Sequence, residues 1–262
     1  MLVTEDLLPE ERLDRIRSRL VRDGRVSASD LAREFHTSED TIRRDLRDLA
    51  AAGFCRRVYG GALRSPVSEP LRTRLDQRPG AKAALARAAA RLVVANQTVF
   101  IDTGSTNCSL AAALPDDVAF TVVTNAPAVA VALATHTRCS VIQIGGRIDP
   151  ATGGSFGTRA LRDLDGLRPD LFFAGTCAVS AQHGLAVFDG EEAAFKRRLV
   201  DSGARLIVLA TTEKLATSAP FGFASLGEVD TLVLEFGVGF DSADAYPDLH
   251  ILHAAAATEA KS

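Results

Sequence analysis

From Ala81 to His253 the chain alternates short apolar runs with helical stretches, and no other feature limits its fold as tightly. The runs are "TVFID", "AFTVVTN", "SVIQIGG", "DLFFAG", "RLIVLATT", "TLVLEF" and a last one near "LHILH". Between them lie "SLAAAL", "APAVAVALA", "TRALRDL" and "GEEAAFKRRLVDSG", while "AKAALARAAARLVV" precedes the first. Runs that are apolar throughout belong to strands covered on both faces. Their alternation with helices predicts a mostly parallel, doubly wound α/β sheet over 81–254. At 262 residues and 47% hydrophobic, the chain has enough apolar material for that core and a small second one.

Residues 1–64 follow another pattern, three helices and a hairpin. Leu13, Ile16 and Leu20 share one helical face, and Asp23-Gly24 stops that helix. In "RVSASDLAREF" Ser27 is placed as an N-cap, with Ala28, Leu31 and Phe35 along one side. Ser38 caps a third helix whose inner stripe is Ile42, Leu46 and Leu49, and Gly53 ends it. "FCRRVYGGAL" completes a wing. With Ile42 inward, Asp40, Arg44 and Arg47 fall on the outer face, flanked by Thr41 and Arg43.

Alone, that helix reads equally as a solvated surface with ion pairs four residues apart. Its charge balance and its neighbours favour DNA. Residues 1–64 carry 13 basic and 12 acidic side chains, but 41–64 carry six arginines against two aspartates. Positive charge is therefore concentrated where phosphate attraction needs it, in a chain whose net charge is −3. Two capped helices joined by a short turn, followed by a basic wing, form a winged helix-turn-helix that presents its second helix to the major groove of double-stranded DNA. The expected DNA-contacting residues are Ser38, Thr41, Arg43, Arg44 and Arg47, with Arg56, Arg57 and Tyr59 from the wing. "RSPVSEPLRTRLDQRPG" has three prolines and no apolar period, so 65–80 is expected to be a linker or a docking strap. Residues 255–262 are expected to be a disordered tail.

In a doubly wound sheet, ligands bind at the carboxyl ends of the strands. There "DTGSTN" supplies Asp102, Gly104, Ser105, Thr106 and Asn107, hydroxyls and free N–H groups at a helix start that suit a phosphate. A plain capped helix start is the alternative reading. Thr124 and Asn125 end the next strand, and Gly145-Gly146 the third. Glu192 and Lys196, four residues apart, form either part of that site or an exposed pair, and Lys214 is equally open.

Other functions fare worse. His250 and His253 point to opposite faces of a strand, and His136 with Cys139 makes a poor chelate, so no metal site is expected. "GVG" at 237–239 lacks a dinucleotide fingerprint, and no cofactor is expected. Four scattered cysteines, an acidic N-terminal stretch and the lack of a long uncharged apolar run point to a reduced, cytoplasmic chain without a membrane span.

"RVSASDLAREFHTSEDTIRRDLRDLAAAGFCRRVYGGA" resembles the helix-turn-helix of the DeoR family of bacterial transcriptional regulators, through its "SEDTIRRDL" core and "RVYGGA" wing. The remainder is similar to that family's sensor domain in "DTGST", "VTN", "GG" at 145–146 and "EAAFK" at 192–196. The resemblance implies a sensor related in fold to ribose-5-phosphate isomerase. It also implies a phosphorylated sugar as effector, a repressor of sugar-catabolic genes rather than an enzyme, and a homo-oligomer, dimer or tetramer. Three positions depart from the family pattern: Tyr59 stands where histidine is usual, Thr37 where an apolar residue is common, and Thr211-Thr212-Glu213-Lys214 where Asp-Ser-Ser-Lys is usual. A constitutive DNA-binding protein with a structural second domain is the alternative, and an isomerase-like enzyme a further one. Isomerase chemistry needs paired carboxylates, and the comparable loop "AGTCAVSAQHG" holds none.

Overall fold

The computed structural model describes residues 9–51, 55–64, 70–215, 217, 219–240 and 245–256. They fall into two compact units, 1–69 and 70–262.

The first unit runs α1 (Pro9–Asp23), β1 (Arg25–Ser27), α2 (Ala28–Glu34), α3 (Glu39–Ala51), β2 (Cys55–Val58) and β3 (Gly61–Arg64). Ile16, Leu20, Leu31, Phe35, Ile42, Leu46 and Leu49 are buried together, and Leu13 packs against them. Ser27 caps α2 by accepting from the Asp30 N–H, and Ser38 caps α3 by accepting from the Thr41 N–H at 3.1 Å. The helices form because these caps and apolar spacings agree. The hairpin gains a strand not anticipated from the sequence. β1 pairs antiparallel with β3, giving the order β1-β3-β2. Gly61 permits this, since a Cβ there would sit 2.0 Å from the Val26 carbonyl oxygen. Gly53 lies outside the described residues.

The second unit begins earlier than Ala81. Of the stretch 65–80, expected to be a linker or a docking strap, the second half contains α4 (Leu71–Asp76) and the start of α5 (Pro79–Ala90). Leu71 is buried and its N–H donates to the Ala151 carbonyl at 2.9 Å. A stretch without an apolar period is thus docked through individual contacts of this kind. Residues 65–69 and 257–262 lie outside the described set.

Seven strands then form one sheet: β4 (Thr98–Ile101), β5 (Phe120–Thr124), β6 (Cys139–Gln143), β7 (Leu171–Ala174), β10 (Arg205–Ala210), β12 (Thr231–Leu234) and β13 (His250–His253). Their order is β6-β5-β4-β7-β10-β12-β13, and every pairing is parallel. Helices α5, α6 (Ser105–Ala112) and α7 (Pro127–Ala132) cover one face, over Val99, Ile101, Val122 and Phe173. Helices α8 (Gly157–Asp163) and α9 (Gly190–Val200) cover the other, over Phe100, Val123 and Phe172. Consecutive residues of β4 thus face opposite cores, as the period of two requires. A small antiparallel sheet of β8 (Ala178–Ser180), β9 (Gly184–Val187) and β11 (Phe221–Ala224), not foreseen from the sequence, packs on that second face.

From β4 the chain proceeds to one edge through β5 and β6, then returns to β4's other side with β7. The strand order therefore reverses between β4 and β7, where a crevice opens at their carboxyl ends.

Candidate functional site

At that crevice β4 ends in Asp102 and β7 in Gly175. The Asp102 carboxylate accepts from the Thr103 N–H (2.7 Å) and the Gly175 N–H (2.9 Å), tying the two strand ends together. The backbones approach so closely that a Cβ on Gly175 would lie 2.1 Å from the Thr103 carbonyl oxygen. The Asn107 amide adds a second tie, donating to the carbonyls of Asp102 (3.0 Å) and Phe173 (3.1 Å).

Lys196 projects into the same place from α9. Its ammonium contacts Asp102, Glu192 at 3.0 Å and the Gly175 carbonyl at 2.8 Å. Burial works against its charge, but Asp102 and Glu192 outweigh that and hold it above the usual lysine range. Burial pushes the Glu192 carboxyl upward against the pull of Lys196. An ammonium has three N–H donors, and all three are used here. Lys196 therefore has no donor left over for a further partner. It holds the strand ends in place, and Asp102 is likewise committed to internal partners rather than open to sugar hydroxyls.

The helix start beside this tie is less satisfied. Gly104, at φ +144°, is the N-cap of α6, so no side chain caps the helix. The first-turn N–H groups have no intrahelical acceptors. The Thr106 Oγ1 is buried without a hydrogen-bond partner among the described residues, as is the Asn125 Oδ1 at the end of neighbouring β5. Asn125 is held by donating to the Ser155 carbonyl at 3.3 Å, and Thr124 Oγ1 accepts from the Ala126 N–H at 3.0 Å. Ser105 is buried in the same turn. Gly145 and exposed Gly146 follow β6, and a Cβ on Gly146 would press on Ser155 at 3.4 Å.

Three cations that share an electrostatic neighbourhood complete the surroundings: Arg74 of α4, Lys82 of α5 and Lys214. Both helices pack on α6. Lys82 is only 4% exposed, yet its ammonium has the Arg74 carbonyl as acceptor and no salt bridge among the described residues. Burial lowers its proton affinity, and repulsion from Arg74 and Arg78 works against the attraction of Glu213. Lys214 is half-buried, and its ammonium has no hydrogen bond or ion pair among the described residues. Burial, with repulsion from Arg74 and Lys82, moves it down to about 8 despite the opposing influence of Cys177 and Glu213. A buried cation without a paired anion is costly, and a dianion is the species that relieves it. Beyond Gly146, a cleft of about 560 Å³ is lined by Arg147, Asp149, Arg159 and Glu191, among others.

In the first unit, Arg43, Arg44 and Arg47 are exposed on α3. Arg43 is paired with Glu39 (2.7 Å) and Asp40 (3.3 Å) along the helix. Arg44 and Arg47 have no salt bridge among the described residues. Ser38 and Thr41 share a hydroxyl hydrogen bond at 2.9 Å, at the helix start. Arg57 is exposed on β2 and Tyr59 fully exposed at the wing's turn, while the Arg56 side chain lies outside the described set.

Residues 77–235 match the DeoR C terminal sensor domain, and residues 12–66 match the DeoR-like helix-turn-helix domain. The chain belongs to the DeoR family of transcriptional regulators. A DeoR relative, the HTH-type transcriptional regulator GlpR of Haloferax volcanii, is 32% identical over 90% of this chain and 93% of its own. The glycerol-3-phosphate regulon repressor of Escherichia coli K12 is 29% identical over 80% and 84%. Ribose 5-phosphate isomerase A of Methanocaldococcus jannaschii overlays at a TM-score of 0.40 and 15% identity, covering 53% of this chain and 56% of that one. No helix among the described residues is long and apolar enough to cross a membrane.

Of the sensor residues expected from this DeoR sequence, those of the 102–107 loop, Glu192 and Lys196 are gathered at the β4–β7 crevice, with Thr124 and Asn125 on the next strand. Arg74, Lys82 and Arg147 went unnoticed. Lys82 carried one usable signal, a lysine among seven alanines, a leucine and one arginine in "AKAALARAAA", five residues from Arg87 and so on a different side of the helix.

Proposed function

We propose that this protein is a transcriptional repressor of sugar-catabolic genes whose operator binding is modulated by a phosphorylated sugar. The observation that carries the reading is the unpartnered, buried Thr106 hydroxyl on the uncapped first turn of α6. A phosphate there would accept from the free N–H groups and from Thr106, with Lys82, Lys214 and Arg74 as counter-charges. Asn125 Oδ1 would accept from a sugar hydroxyl, and Gly146 leaves room for the rest of the molecule. Two relatives are named for glycerol-3-phosphate regulation and for an aga operon repressor, which supports an effector of this class. Lys196, Asp102 and Glu192 shape the site from behind.

The protein acts without catalysis in this reading and works in the cytoplasm as a homo-oligomer, dimer or tetramer, because paired reading heads are needed for paired half-sites. Arg44 and Arg47 contact base edges or flanking phosphates, and Arg57 and Tyr59 hold the backbone. The test is Thr106→Asp. Like-charge repulsion should abolish release of DNA by a panel of sugar phosphates while leaving DNA affinity intact, and unchanged release would remove the phosphate from this loop.

A further inference from the structure

We infer that residues 70–78 are a strap through which occupancy of the phosphate site is passed to the DNA-binding unit; the inference rests on the site proposed above. These residues pack within the sensing unit, yet they follow residue 69, the last of the other unit, with nothing between. They are thus the part of the sensing unit nearest along the chain to the other unit.

The strap is fastened at several points, and each lies one step from a site residue. At its start Leu71 donates to the Ala151 carbonyl, and its side chain occupies the place a Cβ on Gly153 would need, 2.3 Å away. The residue between those two, Thr152, accepts through its carbonyl from the Thr103 hydroxyl at 2.5 Å, and Thr103 precedes the Gly104 cap. In its middle, the Arg74 guanidinium reaches the Ala151 carbonyl at 3.4 Å, and the Arg74 carbonyl accepts from the Lys82 ammonium. At its end the Arg78 guanidinium pairs with Glu213 and with Glu235 at 2.6 Å, and Glu213 adjoins Lys214.

Arg78 also stands at φ +49°, a left-handed conformation that a residue with a side chain keeps only while its surroundings impose it. Its guanidinium is held meanwhile by Glu213 and Glu235. An anion seated by Lys82 and Lys214 draws the same cations that Glu213 now faces and repels Glu213 itself. It thereby tightens the Arg74 end of the strap and loosens the Arg78 end. A small ligand is in this way converted into a change in the segment that leads to the reading head.

The test uses the full-length protein and a DNA duplex selected from a random library for tight binding. Inorganic phosphate and glycerol 3-phosphate are the probes. Their binding is followed by thermal stabilisation and their effect by release of the duplex. Wild type should lose duplex affinity by roughly fivefold or more on saturation. Leu71→Ala and Arg78→Ala should bind the probes within about threefold of wild type, while their coupling falls below about twofold. Full coupling in both variants overturns the strap. Should a variant fail to fold, hydrogen exchange in wild type decides instead. The Leu71 and Arg74 amides should exchange about fivefold more slowly with probe bound, and unchanged exchange in a stabilised protein overturns the strap while sparing the site. If neither probe stabilises wild type, the site fails and the strap with it.

Discussion

Arg44 and Arg47 stand exposed on α3 with no salt bridge among the described residues, whereas Lys196 is fully buried between Asp102 and Glu192. Lys82 is a third case, buried like Lys196 but without a paired carboxylate. The exposed arginines cost the fold little and remain available to a long polyanion. Lys196 supports the fold and has no donor left over. Lys82 combines burial with availability, the arrangement a small, fully enclosed dianion requires. Position relative to solvent and to carboxylates, more than charge itself, separates the three proposed roles.

The largest effect should come from breaking the internally satisfied cluster. Lys196→Met leaves two buried carboxyls without their cation and should cost about 3–5 kcal/mol in chemical denaturation. A loss under about 1 kcal/mol would mean that the cluster is looser than its contacts indicate. Next comes the exposed pair. Arg44→Ala should leave stability within about 0.5 kcal/mol of wild type. It should nevertheless weaken specific DNA binding by about 1–3 kcal/mol in anisotropy titrations. Equal binding of the selected duplex by variant and wild type would place Arg44 away from the bases.

Lys82→Met sharpens the contrast between the two buried lysines. Ligand-free stability should stay within about 1 kcal/mol of wild type, while phosphate affinity falls roughly tenfold or more in calorimetric titration. The smallest effect is in pH. Lys214 is moved down to about 8, mainly by burial, with Arg74 and Lys82 opposing its charge and Cys177 and Glu213 favouring it. As pH rises through that value the ammonium is lost, so phosphate affinity should decline above about pH 8. The unfolded chain keeps the proton up to the ordinary lysine value. Over that window the unfolded state binds more protons, and this group's contribution to ligand-free stability rises with pH. Lys214→Met should flatten both trends, and an unaltered profile would assign them to another group.

How far the sequence could be read follows from range. The seven parallel strands and, α4 apart, the α-helices of both units were legible because period and capping are local, as Ile42, Leu46 and Leu49 or the run "LFFA" illustrate. Strand β1, with three residues, and the sheet built from "AVS", "GLAV" and "FGFA" are too short to show a period. The Glu192–Lys196 spacing is the same on an exposed helix and in a buried cluster, so only the packing of α9 on β4 and β7 decides between them. Arg74 and Lys82 come together with Lys214 from 132 residues further along the chain than Lys82, and no local pattern can show that.

The pairing of β4 with β7 matters during synthesis as well. Ile101 meets Phe173, 72 residues later, whereas the first unit draws on partners no further away than its own wing. At about 5–20 residues per second, β4 waits roughly 4–14 s for its neighbour on that side, an open apolar edge on the ribosome, while the reading head is already complete. Folding of the sensing unit should therefore be the slow, chaperone-sensitive stage. A chain interrupted between these two strands would release a competent DNA-binding head carrying an aggregation-prone tail.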